Sequence, residues 1–97
     1  MDDITFSWDK KKAAQNVSKH RVSFEEATSV FLDENAVEFF DPDHSEEEDR
    51  FLMLGMSWRL RLVVVHYTVR GPGRRIRIIS ARRATKNETR TYPWVQR

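Results

Sequence analysis

The sequence feature that most constrains the fold is the stretch at residues 74–83, which reads Arg-Arg-Ile-Arg-Ile-Ile-Ser-Ala-Arg-Arg. In an extended strand, successive side chains point to opposite faces. One face would then carry Arg75, Arg77, Ile79 and Ala81, and the other would carry Ile76, Ile78, Ser80 and Arg82. Burying an arginine is costly unless a carboxylate or a phosphate pairs with it. The pattern therefore predicts either an edge strand with buried arginine stems and solvated head groups, or a strand that lines an RNA- or phosphate-binding groove.

Charge is distributed very unevenly along the chain. Residues 1–50 contain 6 Lys/Arg and 14 Asp/Glu, whereas residues 51–97 contain 11 Lys/Arg and one acid, Glu88. One interpretation is that the two halves fold together and neutralise each other. The other is that the basic half binds a polyanion. Ten of its 11 cations are arginine, whose planar head group matches phosphate better than lysine does, so the composition favours a nucleic-acid partner.

Length and composition limit the class of protein. The 97 residues, of which 39% are hydrophobic, predict one domain over residues 1–97 with a small core. The absence of cysteine excludes disulfides and thiolate chemistry. No segment approaches the roughly 18 apolar residues of a membrane span, and the acidic start Met-Asp-Asp is unlike a secretory signal. We therefore expect a soluble, cytoplasmic protein.

Hydrophobic periodicity and turn residues predict eight elements. Strands are expected at residues 4–8, 36–41, 50–57, 61–70 and 74–83, and helices at 10–19, 24–32 and 86–92. The apolar run at residues 62–65 indicates a central strand covered on both faces. The order predicts an α+β domain, an antiparallel meander with helices packed on one face. A DNA-binding helix-turn-helix is disfavoured, because the first two helices share too little connection and apolar surface.

Capping signals place the helices. Ser23 with Glu26, and Thr85 with Glu88, have the spacing of capping boxes. The inner stripe of the first helix is expected at Ala13, Ala14 and Val17. The acidic residues 43–49 are expected to form a solvated turn, with one helical turn capped by Ser45.

The sequence favours metal-free chemistry. His44, Asp41, Asp43 and the acids at residues 46–48 lack the spacing of metal ligands, so neither a metal nor another cofactor is expected. In metal-free RNA cleavage the 2′-hydroxyl attacks its own phosphodiester, and the protein supplies cations and proton-transfer groups. The candidate catalytic residues are Lys19, His20, Arg61, Arg77, Arg82 and Glu88. The candidate RNA-binding residues are Arg21, Arg75, Arg83 and Tyr92.

Several short motifs stand together in a recognisable order. They are Phe6-x-Trp8-Asp9, Asn16-x-x-Lys19-His20, Val22-Ser23-Phe24-Glu25-Glu26-Ala27, Phe31-x-Asp33, His44-Ser45-x-x-Glu48-x-Arg50, Gly55-x-Ser57 and Ile76-Arg77-Ile78-Ile79-Ser80-Ala81-Arg82-x-Ala84. Over residues 6–92 the chain resembles the BrnT-type ribonuclease toxins of bacterial type II toxin–antitoxin modules. Each motif alone is weak, and their joint order makes the resemblance specific.

The resemblance implies a RelE-like fold and an endoribonuclease that arrests translation. It implies a BrnA-type antitoxin as partner, in a heterotetramer of two toxins and two antitoxins that binds operator DNA only through the antitoxin. Lys19, Arg61 and Arg77 match the family's proposed active site, and Arg82 is close by. Arg21 stands where the family pattern has Gly, which would ease a tight turn after the Lys-His pair.

These inferences assign provisional roles. Lys19 and Arg61 would hold phosphates, Arg77 and Arg82 would stabilise transition-state charge, and His20 or Glu88 would transfer the proton. One alternative is a non-catalytic module with the same fold that only binds nucleic acid and its partner. A second is a structural subunit whose arginines pair with the chain's own acidic turn. Exposed apolar residues are candidates for the antitoxin interface, namely Met56, Trp58 and Trp94.

Overall fold

The computed structural model describes residues 4–44, 48–71 and 74–93. Its strands and helices follow the predicted order. They are β1 (Ile4–Ser7), α1 (Lys10–His20), α2 (Phe24–Val30), β2 (Val37–Phe40), β3 (Arg50–Met56), β4 (Leu62–Arg70), β5 (Arg74–Arg83) and α3 (Lys86–Thr89), with a 3-10 turn at Pro42–His44. The predicted cap at Ser45 lies outside the described residues. None of the described helices is long and apolar enough to cross a membrane.

The five strands form one mixed sheet in the order β1-β5-β4-β3-β2. Strands β2 to β5 form an antiparallel meander, as predicted. Strand β1 instead pairs in parallel with β5, so that Phe6 lies beside Ile76. The expectation of a wholly antiparallel sheet is therefore wrong, whereas the α+β class is confirmed. A parallel neighbour needs a long crossover connection, and here the chain from α1 to β4 supplies it.

Apolar clusters cover both faces of the central strand β4. Val63 and Val65 pack in a core with α2, whereas Val64 packs with Leu54 and Tyr92. Because successive strand residues point to opposite faces, the two clusters lie on opposite sides of the sheet. The predicted burial of β4 on both faces is confirmed. We call the side that α1 and α2 cover the helix face. The expectation that all helices pack on one face is wrong, because Tyr92, which follows α3, lies on the other side.

A β-bulge at Ile79 changes the arginine strand. The pairing shifts between His66 and Tyr67, so that His66 lies opposite Ser80 and Tyr67 lies opposite Ile78. The strict alternation predicted from the sequence is therefore wrong. Because paired residues share a face, the shift puts Ile76, Ile78 and Ala81 in the helix-face core. It places Arg75, Arg77, Ser80 and Arg82 together on the opposite side, which we call the basic face.

Asn16 joins α1 to the sheet beyond the end of β1. Its side-chain amide donates to the carbonyls of Ala81 and Val22, at 2.8 Å each, and its carbonyl accepts from the Ala81 amide at 3.1 Å. The side chain thus replaces a strand partner for β5. The predicted inner stripe of α1 is wrong in part, because Asn16 is buried whereas Ala14 and Val17 are exposed.

Asp33 has the same role at the other edge, where β2 no longer covers β3. Its carboxylate accepts hydrogen bonds from the Met56 amide at 2.7 Å and from the Tyr92 hydroxyl at 2.6 Å. Gly55 permits this close approach, because a Cβ there would lie 2.8 Å from the Val30 side chain. Asp33 therefore fixes the segment after α3 against the basic side of the sheet.

Candidate functional site

The basic face gathers cationic and hydroxyl groups from neighbouring strands. Strand β5 contributes Arg75, Arg77, Ser80 and Arg82, and β4 contributes His66 and Arg70. The pairing sets His66 opposite Ser80 and Arg70 opposite Arg75, and adjacent strands lie about 5 Å apart. Arg75 is exposed, and Arg77, Arg82 and His66 are partly buried. Three of the predicted cations, Arg75, Arg77 and Arg82, thus lie on one surface.

A polar cleft of about 240 Å³ opens at the β1 end of the basic face. It is lined by Thr5, Phe6, Ser7, Arg70, Arg75 and Arg77. Guanidinium groups bind phosphate oxygens through short charge-assisted hydrogen bonds, so three arginines beside two hydroxyls suit a phosphodiester. Arg70 also pairs with Glu48 at 3.1 Å on the exposed side of the cleft.

Arg77 lies close enough to α1 to influence its N-cap. The pKa of Asp9 is lowered, first by the hydrogen bond from the Lys12 amide and, more weakly, by the charges of Lys12 and Arg77. Arg77 therefore has a negative neighbour at one end, while its strand position faces the cleft. Arg77 thus lines the cleft within electrostatic reach of the Asp9 carboxylate.

Arg82 is held by a two-point ion pair with Glu88. Its two terminal nitrogens donate to the two carboxylate oxygens at 2.7 and 2.8 Å. Glu88 also accepts from the Thr85 amide, which confirms the predicted second capping box. The hydrogen bonds from Arg82, and to a smaller extent the one from the Thr85 amide, lower the pKa of Glu88 to about 2. A carboxylate this acidic is a weak base, so the geometry suits Glu88 to positioning Arg82 rather than to proton transfer.

Arg61 lies away from the basic face, in a buried ion pair with Glu26. Its Nε donates to the Glu26 carboxylate at 2.9 Å, a terminal nitrogen makes a second bond, and Ser57 donates at 2.7 Å. Burial raises the pKa of Glu26, but these hydrogen bonds outweigh burial and hold the pKa below its ordinary value. The predicted first capping box is therefore only half formed: Ser23 caps the Glu26 amide, while the Glu26 side chain pairs with Arg61.

The predicted residues Lys19, His20 and Arg21 lie with Arg61 at the turn between α1 and α2. The Arg61 guanidinium donates to the Arg21 carbonyl at 2.9 Å. Arg21 ends α1 in the left-handed conformation, with φ 60° and ψ 31°. This conformation explains why Gly is the residue expected there. The turn is thus a second basic cluster, distinct from the basic face.

Two further predicted residues lie outside both clusters. Arg83 is exposed and pairs across the sheet with Val63, so it points to the helix face. It lies about 20 Å along β5 from Arg77, at roughly 3.3 Å per residue. Tyr92 is 2% exposed, and burial with its bond to Asp33 raises its pKa to about 12. Its ring is therefore part of the apolar packing and is not displayed to a ligand.

His66 is the imidazole on the basic face that sequence reasoning did not select. It lies within the run Leu62–Arg70, where the surrounding valines suggest a core strand and nothing else. Its position among the arginines depends on the bulge opposite it, for which the sequence has no clear signal. Imidazole is the side chain most suited to proton transfer near neutral pH.

The His, Asp and Glu side chains of the described residues do not form a metal site. Within residues 4–44, 48–71 and 74–93, no group of three or more His, Asp or Glu side chains is arranged to hold a metal ion. The side chains of the acidic turn at residues 44–47 lie outside this description.

Comparisons with known proteins agree with the fold and with the sequence motifs. A family model described as "Ribonuclease toxin, BrnT, of type II toxin-antitoxin system" matches residues 8–88. The 1.1 Å crystal structure of the Brucella abortus ribonuclease toxin BrnT is similar, with a TM-score of 0.66 and 25% sequence identity. The match covers 87% of this chain and 100% of that chain. No curated protein matches. Because the family model spans most of its length, the chain belongs to the BrnT family of ribonuclease toxins of type II toxin–antitoxin systems.

Proposed function

We propose that this protein is a metal-independent endoribonuclease that cleaves RNA on the basic face. The observation that carries the proposal is the grouping of Arg75, Arg77 and Arg82 with His66 on one surface, beside a polar cleft. These groups supply what the reaction requires: cations for the phosphate and a side chain that can transfer a proton.

The proposed reaction is transphosphorylation. The RNA 2′-oxygen attacks phosphorus, the bond from phosphorus to the 5′-oxygen breaks, and the products are a 2′,3′-cyclic phosphate and a 5′-hydroxyl. Arg75 and Arg77 bind the non-bridging oxygens, whose charge grows in the transition state. His66 accepts the 2′-hydroxyl proton, water gives a proton to the leaving 5′-oxygen, and Glu88 holds Arg82 in place. This assignment moves proton transfer from His20 and Glu88, as first expected, to His66.

The second basic cluster is proposed to extend the RNA-binding surface. Lys19 and Arg21 of this cluster are exposed cations, and so is Arg83 outside it. All three are suited to contacts with phosphates beyond the cleaved one. Arg61 already forms an ion pair with Glu26, and its side chain is mostly buried. We therefore assign Arg61 a structural role, and we leave His20 as a residue of the RNA-binding turn.

The partner is proposed to be a BrnA-type antitoxin, in a complex of two toxins and two antitoxins that binds operator DNA through the antitoxin. Free toxin would act in the cytoplasm on RNA and inhibit translation. An acidic antitoxin segment on the basic face would compete with RNA by charge. Leu32, Trp58 and Leu60 expose 82, 62 and 82% of their surface and offer an apolar contact, whereas Met56 is partly buried and Trp94 lies outside the described residues.

The test is incubation of the purified, antitoxin-free protein with RNA in excess EDTA. The wild type should yield fragments ending in 2′,3′-cyclic phosphate, and Arg77→Ala should lose at least about a hundred-fold in rate, as is typical when a charge-stabilising donor is removed. His66→Gln should lose activity and also lose the acidic limb of the pH–rate profile, because a general base is inactive when protonated. Arg59→Ala is the matched control, because Arg59 is exposed and lies in the turn between β3 and β4, where its charge acts on Glu26 of α2.

Intact RNA that shifts on a gel would contradict the proposal for the isolated chain. It would favour the alternative of a non-catalytic binding module, or an enzyme that acts only on the ribosome. Adding ribosomes and a translated message to the same reaction separates these two, because only the second produces cleaved message.

A further inference from the structure

An apolar groove of about 280 Å³ lies on the same side of the sheet as the basic face. Its floor is formed by Leu52, Leu54 and Val64, its outer end by Phe39, and its wall by Asn87 and Glu88 of α3. Phe39 is 42% exposed, so an aromatic surface is available at the groove. The lining is therefore apolar, with a carboxamide at the rim.

The groove lies close to the proposed reacting groups. Across the sheet, Phe39 pairs with Leu52 and Leu52 pairs with His66. Paired Cα atoms lie about 5 Å apart, so Phe39 lies roughly 10 Å from His66. Glu88 forms part of the wall and holds Arg82. A ligand anchored at His66 and Arg77 would thus have the groove directly beside it.

We propose that this groove binds the nucleobase next to the cleaved phosphate and gives the enzyme a base preference. The inference rests on the proposed ribonuclease function. Single-stranded RNA is recognised by stacking splayed bases on aromatic side chains and by hydrogen bonds to base edges. Phe39 supplies the aromatic surface and the exposed Asn87 carboxamide supplies a donor and an acceptor. Purines, with the larger flat surface, are the expected occupants.

The experiment maps cleavage sites on an RNA of random sequence and compares variants of the whole protein. The wild type should cut beside purines on one side of the cleaved bond. Phe39→Ala should lower kcat/KM by roughly ten-fold, the usual effect of removing a base-stacking ring, and should flatten the preference. Phe40→Ala is the matched control, because Phe40 is 52% exposed on the opposite face of the same strand. It should change neither rate nor preference.

A second comparison changes the RNA instead of the protein. An oligonucleotide with an abasic nucleotide at the preferred position should be cut by the wild type as slowly as Phe39→Ala cuts the normal oligonucleotide. Phe39→Ala should distinguish the two substrates far less than the wild type does, because only the Asn87 contact to the base remains. Asn87→Ala, a change on an exposed helix, should alter the base preference without altering thermal stability, which keeps the test valid if Phe39→Ala folds poorly.

The outcomes separate this inference from the function on which it rests. If the wild type leaves RNA intact with and without ribosomes, the proposed function fails and the inference fails with it. If the wild type cuts RNA and the Phe39→Ala and Asn87→Ala variants cut it at the same sites and rates, the function stands and the base site is refuted. Loss of antitoxin binding by Phe39→Ala with unchanged cleavage would assign the groove to the protein partner instead.

Discussion

Replacing Arg61 by alanine should unfold this protein more readily rather than disable its chemistry. The Glu26 side chain is 2% exposed. In the variant its carboxylate would lose the hydrogen bonds from Arg61 and keep the one from the Ser57 hydroxyl. Removing one partner of a buried ion pair costs about 3–5 kcal/mol. Arg61 is 17% exposed, so water can partly replace it. We therefore expect the free energy of unfolding to fall by about 3 kcal/mol, at the lower end of that range, as measured by urea denaturation at neutral pH.

Two variants control this measurement. The double variant Glu26→Gln with Arg61→Met removes both charges and should recover much of the lost stability, since a neutral amide is cheaper to bury than a carboxylate. Arg59→Ala removes a nearby exposed arginine and should change the free energy of unfolding by less than about 0.5 kcal/mol. If Arg61→Ala unfolded at the wild-type urea concentration but no longer cut RNA, the structural assignment of Arg61 would be wrong.

The pH dependence of the stability difference between the wild type and Arg61→Ala is a second, independent test. In the wild type, the pKa of Glu26 is lowered by folding, so its contribution is present above the unfolded pKa and is lost as pH falls through the folded pKa. In Arg61→Ala, burial without the cation raises that pKa, and folding then takes up a proton. The stability deficit of the variant should therefore shrink between neutral and mildly acidic pH. A deficit that stays constant over this interval would contradict the reasoning.

Two further substitutions test how the helices are joined to the sheet. Asn16→Ala leaves three buried backbone groups of Ala81 and Val22 without partners, at about 1–3 kcal/mol each. The free energy of unfolding should therefore fall by at least about 3 kcal/mol, whereas Gln15→Ala, a change at the exposed neighbour, should have little effect. Similar urea midpoints for the two variants would contradict the role of Asn16 at the sheet edge. Arg21→Gly should raise the free energy of unfolding by about 1 kcal/mol, because Gly adopts the left-handed conformation without strain, and a lower thermal midpoint would contradict the conformation described for this turn.

The sequence predicted the elements better than their arrangement. The valine run of β4 and the capping residues at Ser23 and Thr85 are strong local signals, and the structure confirms the elements that they define. The partner of β1 is a different matter. Four residues can add to either edge of a sheet in either direction, and in the structure both Ile4 and Phe6 of β1 pack against the helix-face core.

The candidate site shows the same division. Arg75, Arg77 and Arg82 were selected as residues, but their shared face depends on the bulge, which the pattern of residues did not reveal. The role of Glu26 could not be predicted from its spacing to Ser23. That spacing is the same whether the Glu26 carboxylate accepts from the N-cap backbone amide or from a distant arginine. Asn16 was missed because its polarity argues against burial, although its hydrogen bonds explain it.

The bulge also bears on how β5 can change through evolution. Ile76 and Ile78 precede the extra residue and Ala81 follows it, yet all three share the helix-face core. Deleting Ile79 would join both halves in one regular pleat in which these three residues still share the helix face and Arg77 and Arg82 still share the basic face. In a strand without a bulge, the loss of one residue would turn the side chains of one half to the opposite face. This strand can therefore lose one codon at the bulge without exchanging its core for its arginines.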